Sequence, residues 1–332
     1  MEQKTQTAMS EMAGAETAWG GNLQLRNVLC PVDLSEVSRS ALQYAARIAA
    51  HFKARLYVQH TFDLPSKASD DASRKNAGKF LRIEDLPPEM QSKEIELREL
   101  VERTPAGEAG AILLLSQGDP RERIVQTIAS KGIDLMVIGT RGRKGLQRLL
   151  QGSVTERLIH QAPCPSLILS LPSTEREQSP KFDPLRLRTI IVATNFSPNS
   201  MRLFVYALRW ASDPSCQVIL FHSVPTAPPA LGKFSDLLPE YGPEIETRIR
   251  GALKRMRELL PSPGGFPCRV EYEVRDGDPQ AQILRFAKEK RADLIVMGAR
   301  ILEGAVGVWG SIIAGVVRDG RFPVLAVRHL GA

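Results

Sequence analysis

The chain has 332 residues, 43% of them hydrophobic, and carries a formal net charge of +7 from 44 Lys and Arg against 37 Asp and Glu. That length suits two domains of about 150 residues each. No apolar run approaches the ~18 residues of a membrane span, and basic residues diluted by acids, with only 6% aromatics, give no sign of a nucleic-acid surface.

Residues 1–25 are small and polar without the apolar core of a secretory signal, so they read as a disordered tail. Arg26-Asn-Val-Leu-Cys-Pro-Val-Asp33 is a short apolar strand ending in an acid. The following segment from Ser35 has apolar residues at helical spacing, with Ser35 as N-cap. Arg55 to His60 is a second strand, and residues 63–88, rich in Ser, Lys and Asp, read as a polar excursion. A helix from near Glu89 to Arg103, a strand from Ala111 to Leu115, the turn Gly118-Asp-Pro120 and a helix to about Ser130 follow. Asp134 to Gly139 is a fourth strand, and Pro165 to Ser170 a fifth. Strands alternating with helices define an α/β fold with a parallel, doubly wound sheet.

After a Pro-, Ser- and Glu-rich linker at 172–187, the order repeats at an offset of about 160 residues. Arg188 to Ser197 matches Arg26 to Ser35, the strand ending at His222 matches the one ending at His60, and Gly277-Asp-Pro279 matches Gly118-Asp-Pro120. Ala292 to Gly298 matches the fourth strand and Phe322 to Arg328 the fifth, which predicts a duplicated domain: 26–171 and 188–332. His60 and His222 each end an apolar strand and read as residues of the core's edge rather than as ligands. Cys30, Cys164, Cys216 and Cys268 lie far apart with no C-x-x-C pair and no clustered histidines, which fits buried thiols in a reducing cytoplasm rather than a zinc site.

The chemistry concentrates after the fourth strand, in Gly139-Thr-Arg-Gly142-Arg-Lys-Gly145 and on to Gly152-Ser153. Ser153 with Glu156 three residues later is a capping-box helix start. A strand that empties through glycines onto a helix N-terminus suits phosphate, because the first amides of the helix lack partners and carry the positive end of its dipole. Arg141, Arg143, Lys144 and Arg148 add charge for a polyphosphate. A basic glycine-rich loop is also what an ordinary surface connection looks like, so the spacing has to decide. Two residues separate Gly139 from Gly142, and nine separate Gly142 from Gly152-Ser153, which is neither the Rossmann nor the Walker pattern.

This glycine spacing, with Val32-Asp33-x-Ser35 after the first strand, resembles the universal stress protein family, and the resemblance runs from about Arg26 to Arg328. It implies two tandem, Rossmann-like, five-stranded parallel sheets of order 3-2-1-4-5. In the ATP-binding branch the nucleotide lies at the switch point between the first and fourth strands. Carried over by position, the resemblance puts Pro31 and Asp33 at the adenosine, Thr61, taken as just past the second strand, beside the adenine, and Ile138 and Gly139 on its other side. Gly142, Gly152, Ser153, Val154 and Thr155 would hold ribose and phosphates, with Val32, Arg143 and Gly145 in the same set. The cofactor implied is ATP, with or without Mg²⁺, and nothing resembling a triad, paired carboxylates or a metal cluster accompanies it.

The expectation is therefore a cytoplasmic, regulatory, stress-response protein acting through nucleotide-dependent conformation or an unidentified protein partner, with at most slow hydrolysis. A nucleotide-free oligomeric scaffold and a slow adenine-nucleotide hydrolase are the competing classes. The family's dimers imply that the two closing strands pair within one chain, and a homodimer of chains is a further assembly.

The second half reads as a degenerate copy. Asn195 stands for Asp33, Ile301 for Gly142, and eight residues rather than nine separate Ile301 from Gly310-Ser311. A β-branched residue is an outlier at positive φ, Glu303 adds negative charge, and Ala314 removes the capping partner of Ser311.

Overall fold

The computed structural model describes residues 25–62, 88–108, 110–141, 158, 161–171, 183–184, 186–197, 200–211, 214–225, 242–259, 266, 268–299 and 311–328. The expected tail, the 63–88 excursion, most of the linker and both glycine loops lie outside them, apart from residues 25, 88, 183–184 and 186–187.

The first unit opens with β1 (Asn27–Pro31), whose central residues are fully enclosed. Helix α1 (Glu36–Phe52) begins at Ser35, whose side chain accepts the Ser38 amide. It ends where Lys53 turns left-handed and its amide bonds back to Ala49 and Ala50. The buried stripe of α1 is rich in alanine (Ala41, Ala45, Ala46, Ala49), which lets the helix approach the sheet closely. Next come β2 (Arg55–Phe62), α2 (Pro88–Glu102), the one-turn α3 (Pro105–Glu108) and β3 (Ile112–Gln117). Helix α4 (Pro120–Lys131) is capped by Asp119, has Pro120 in its first turn and stops at left-handed Gly132. The unit closes with β4 (Leu135–Arg141) and β5 (Ser166–Leu171). All neighbouring strands are parallel, in the order β3-β2-β1-β4-β5.

The second unit repeats this plan with β6 (Thr189–Ala193), α5 (Ser200–Trp210), β7 (Gln217–Val224), α6 (Gly242–Leu259) and β8 (Arg269–Asp276). Helix α7 (Pro279–Lys290), β9 (Leu294–Ala299), α8 (Ser311–Asp319) and β10 (Val324–Arg328) complete it. Its parallel order, β10-β9-β6-β7-β8, is the same 3-2-1-4-5 arrangement read from the other end. The expected α/β fold is therefore present in both halves.

The repeat extends to single hydrogen bonds. Asp134 Oδ2 accepts the amides of Arg26 and Asn27 at 2.8 and 2.9 Å, and Asp293 Oδ2 accepts those of Arg188 and Thr189 at 2.7 and 2.9 Å. Each carboxylate thus pins the start of its unit's central strand from a residue about a hundred positions away. Asp278 caps α7 as Asp119 caps α4. All four cysteines are buried and free, as the sequence implies.

Two strand boundaries differ from expectation. β2 runs through Phe62 because its ladder to β3 continues to Phe62–Gln117, so Thr61 lies inside the strand rather than past it. β4 runs on to Arg141, paired with Leu171, so Thr140 and Arg141 belong to the sheet rather than to the glycine loop, and Gly139 lies inside the strand rather than at its end. No described helix is long and apolar enough to cross a membrane.

Candidate functional site

In the first unit the strand order reverses between β1 and β4, and their carboxyl ends diverge to opposite crossovers, which is where open α/β sheets leave a crevice. Pro31 to Asp33 leave β1, Thr61 lies near the end of β2, and Ile138 and Gly139 lie near the end of β4. These residues come to one end of three adjacent strands, β2-β1-β4. Gly142, Arg143, Gly145, Gly152, Ser153, Val154 and Thr155 lie outside the described residues.

Asp33 is held by the start of α1. Its Oδ1 accepts the Ser35 amide at 3.0 Å and the Ser35 hydroxyl at 2.6 Å, and the Asp33 amide donates to Ser38 Oγ at 3.3 Å. Between them Leu34 is left-handed, at φ 64°, a conformation that costs a non-glycine residue about 1 kcal/mol and is offset by this turn of side-chain hydrogen bonds. Partial desolvation pushes the Asp33 carboxyl up, but the Ser35 and Ser38 hydroxyls and the Ser35 and Asp33 amides outweigh it and hold the pKa below the usual value. Although those groups desolvate the carboxylate, the residue as a whole is exposed, and it presents a fixed negative acceptor at neutral pH.

Val32 is 4% exposed and its main chain is spent on β2: its amide donates to Gln59 O at 2.8 Å, and its carbonyl accepts from His60 Nδ1 at 2.8 Å. A carbonyl only accepts, so Nδ1 carries the proton and Nε2 of the neutral ring is a bare acceptor. Burial lowers the His60 pKa, against the partial support of this hydrogen bond, so the ring is neutral at physiological pH. His60 is thus a core-edge residue, as expected.

Gly139 has a packing role that the sequence does not announce. A Cβ built on it would lie 2.8 Å from both Val37 Cγ1 and Val37 O, and 3.3 Å from the Ala41 Cβ. The bare α-carbon is what lets the first turn of α1, with its hold on Asp33, lie against β4. Between β2 and β3, Thr61 Oγ1 meets Ser116 Oγ at 2.9 Å, and Gln59 Nε2 reaches Ser116 Oγ at 3.2 Å. Gln59 Oε1 is buried without a hydrogen-bond partner among the described residues. Gln59, Ser116 and Ser38 were not among the sequence candidates. Ser38 was legible in principle, since Asp-x-Ser-x-x-Ser recurs as Asn195-x-Ser197-x-x-Ser200.

The second unit reproduces the frame with different chemistry. Asn195 Oδ1 accepts the Ser197 amide at 3.1 Å, Phe196 is left-handed at φ 58°, and His222 Nδ1 donates to Thr194 O at 2.8 Å. Thr194 Oγ1 donates to Ser200 Oγ at 2.7 Å and accepts the Phe196 amide at 3.1 Å. Where the first unit has Gln59 and Thr127, the second stacks Phe221 on Phe286 at 4.9 Å, with the Arg275 guanidinium over Phe286. At the carboxyl ends of β6, β7 and β9 lies a cavity of about 250 Å³, bounded by Asn195, His222, Met297 and, on α7 and α8, Ile283 and Ile312.

Two doubly wound α/β units in tandem, each with a switch-point crevice beside an Asx turn, define the class of protein. Residues 24–170 and 186–328 each match the model of the universal stress protein family, and the chain belongs to that family. It is 33% identical over 162 residues to universal stress protein MJ0531 of Methanocaldococcus jannaschii, spanning 47% of this chain and 88% of that protein. It is 25% identical over 308 residues to a universal stress protein of Mycolicibacterium smegmatis, spanning 91% of this chain and 96% of that protein. A universal stress protein structure from Archaeoglobus fulgidus shares the fold, with a TM-score of 0.60 at 22% identity, over 93% of this chain and 98% of that one.

Proposed function

We propose that the first unit binds an adenine nucleotide, ATP, and that occupancy regulates the protein's conformation or its association with a partner in a stress response. The observation that carries this reading is the ionised Asp33 carboxylate fixed at the switch point by Ser35 and Ser38. Family membership supports it. The residues fit the group: Asp33, just past β1, and Gln59 Oε1, buried without a hydrogen-bond partner among the described residues on β2 beside Pro31, are acceptors suited to the hydroxyl and amino donors of a nucleoside. Asp33 would accept from the nucleoside, Thr61 and Ile138 would flank it, and the glycine loop to Ser153 would hold the phosphates. Mg²⁺, where present, would neutralise phosphate charge.

Among the described residues no cluster of His, Cys, Asp and Glu is arranged for a metal, and the reading assigns no catalytic residue. Association of two chains and a protein partner remain part of the proposal. Calorimetric titration of the full chain with ATP tests it: one site per chain is expected, weakened in Asp33→Asn and abolished in a folded Gly152→Val protein. Unchanged affinity in both variants would refute the assignment, and two equivalent sites would refute the degenerate second half.

A further inference from the structure

Among the described residues, none of the side chains that line the cavity of the second unit is Asp, Glu, Lys or Arg, and His222 is held neutral, chiefly by burial, against the support of its bond to Thr194 O, with Arg255 and Arg248 adding to the lowering. The equivalent position of the first unit holds an ionised Asp33, whereas here Asn195 has its Oδ1 committed to the Ser197 amide and only its NH₂ left to offer. The cavity's room comes from Ala193. It stands in register between Phe221 and Met297, at the place that Pro31 takes in the first unit. The walls are Phe221, Met297, Ile283 and the partly exposed Ile312, an apolar and polarisable set suited to a flat ring. Among the described lining residues the polar groups are few: Thr194, Asn195, Ser197, His222 and Ser223. With Nδ1–H bonded to Thr194 O, the His222 ring keeps Nε2 as an acceptor, and the Ser223 hydroxyl is spent on Gly277 O at 2.8 Å. A volume of about 250 Å³ lies just below the roughly 300–1,000 Å³ that ligand pockets span, which admits a one- or two-ring molecule.

We propose that this cavity is a second ligand site, for a small uncharged heteroaromatic molecule bearing a ring N–H, held between Ala193, Met297 and Ile283 with its N–H donated to His222. The site is independent of the nucleotide reading of the first unit, and the two units take ligands of opposite chemistry: a polyanion in one, a neutral ring in the other.

Indole is the probe, titrated into the full chain by calorimetry and followed in parallel by the ¹⁵N resonances of the His222 ring. One indole per chain is expected, with Nε2 shifted on binding and no displacement by saturating ATP. Ala193→Phe fills the cavity and should abolish binding. His222→Asn keeps a donor for Thr194 O but removes the Nε2 acceptor, and should weaken binding roughly five- to ten-fold, as loss of one neutral hydrogen bond does. No binding at millimolar indole, an unmoved Nε2 resonance, or displacement by ATP overturns the proposal. So does undiminished binding in a folded Ala193→Phe chain. Should Ala193→Phe fail to fold, the Nε2 shift in the unaltered chain decides. Because the titration is run with and without ATP, failure of the first unit to bind ATP leaves the indole result readable.

Discussion

Replacing Gly139 by Ala tests whether the first turn of α1 is seated on β4 through a missing side chain. The new methyl would meet Val37 Cγ1 and Val37 O at 2.8 Å, more than half an ångström inside ordinary van der Waals contact. The Cγ1 contact can be relieved by a rotamer change, although Val37 is only 7% exposed and has little room. The carbonyl contact cannot be relieved that way, because Val37 O belongs to the helix and moves only with it. Overpacking of this kind costs about 1–3 kcal/mol. For a unit of this size each kcal/mol moves the melting temperature by roughly 2–4 °C, so a mid-range cost of about 2 kcal/mol predicts a fall of roughly 4–8 °C for the first unit's transition. The displacement also reaches the site, since Ser35 and Ser38 flank Val37 and hold Asp33. Differential scanning calorimetry with and without ATP reads both effects. The double variant Gly139→Ala, Val37→Ala removes Cγ1 but not the carbonyl contact, so it should recover only part of the loss, with a coupling of about 0.5–1.5 kcal/mol. A Gly139→Ala protein as stable as the parent, or strictly additive single changes, would show that the helix is not seated as described.

Asp33 has a depressed folded pKa, so its contribution to stability is fully present above the ordinary carboxylate value near pH 4 and is lost as pH falls from there through the lower folded value. Asp33→Asn should therefore flatten the acid limb of a stability-versus-pH curve, and an unchanged limb would show that the Ser35 and Ser38 bonds do not favour the charged form. Asp134→Ala and Asp293→Ala each strip two amide acceptors from the start of a central strand and should cost about 1–3 kcal/mol apiece. Denaturation that leaves either unit unaffected would deny the parallel role. Burial pushes the Cys30 thiol far up and that of Cys164 up to about 12, so both should resist a thiol reagent at pH 8 until the chain is unfolded. Rapid native labelling of Cys30 would contradict the enclosed core.

The duplication, the alternation of strands and helices, the cap at Ser35 and the burial of the cysteines were legible in the residues. Each rests on local spacing or on composition, and a helix cap or an apolar strand is decided within a few positions. The strand order followed only through the family resemblance. What the tertiary structure alone decided depends on residues brought together from far apart. Thr61 reads as the start of a loop until β3 continues the ladder beside it, and Gly139 reads only as the glycine that ends its strand until Val37 is found against its α-carbon. Asp33 was visible as an acid, but the lowering of its pKa depends on Ser35 and Ser38, which the start of α1 brings to it. The two crevices diverge in the same way. That Asn195 replaces Asp33 is written in the sequence. That Ala193 stands between Phe221 and Met297 at the edge of a cavity follows from the register of three strands, which no single segment of the chain specifies.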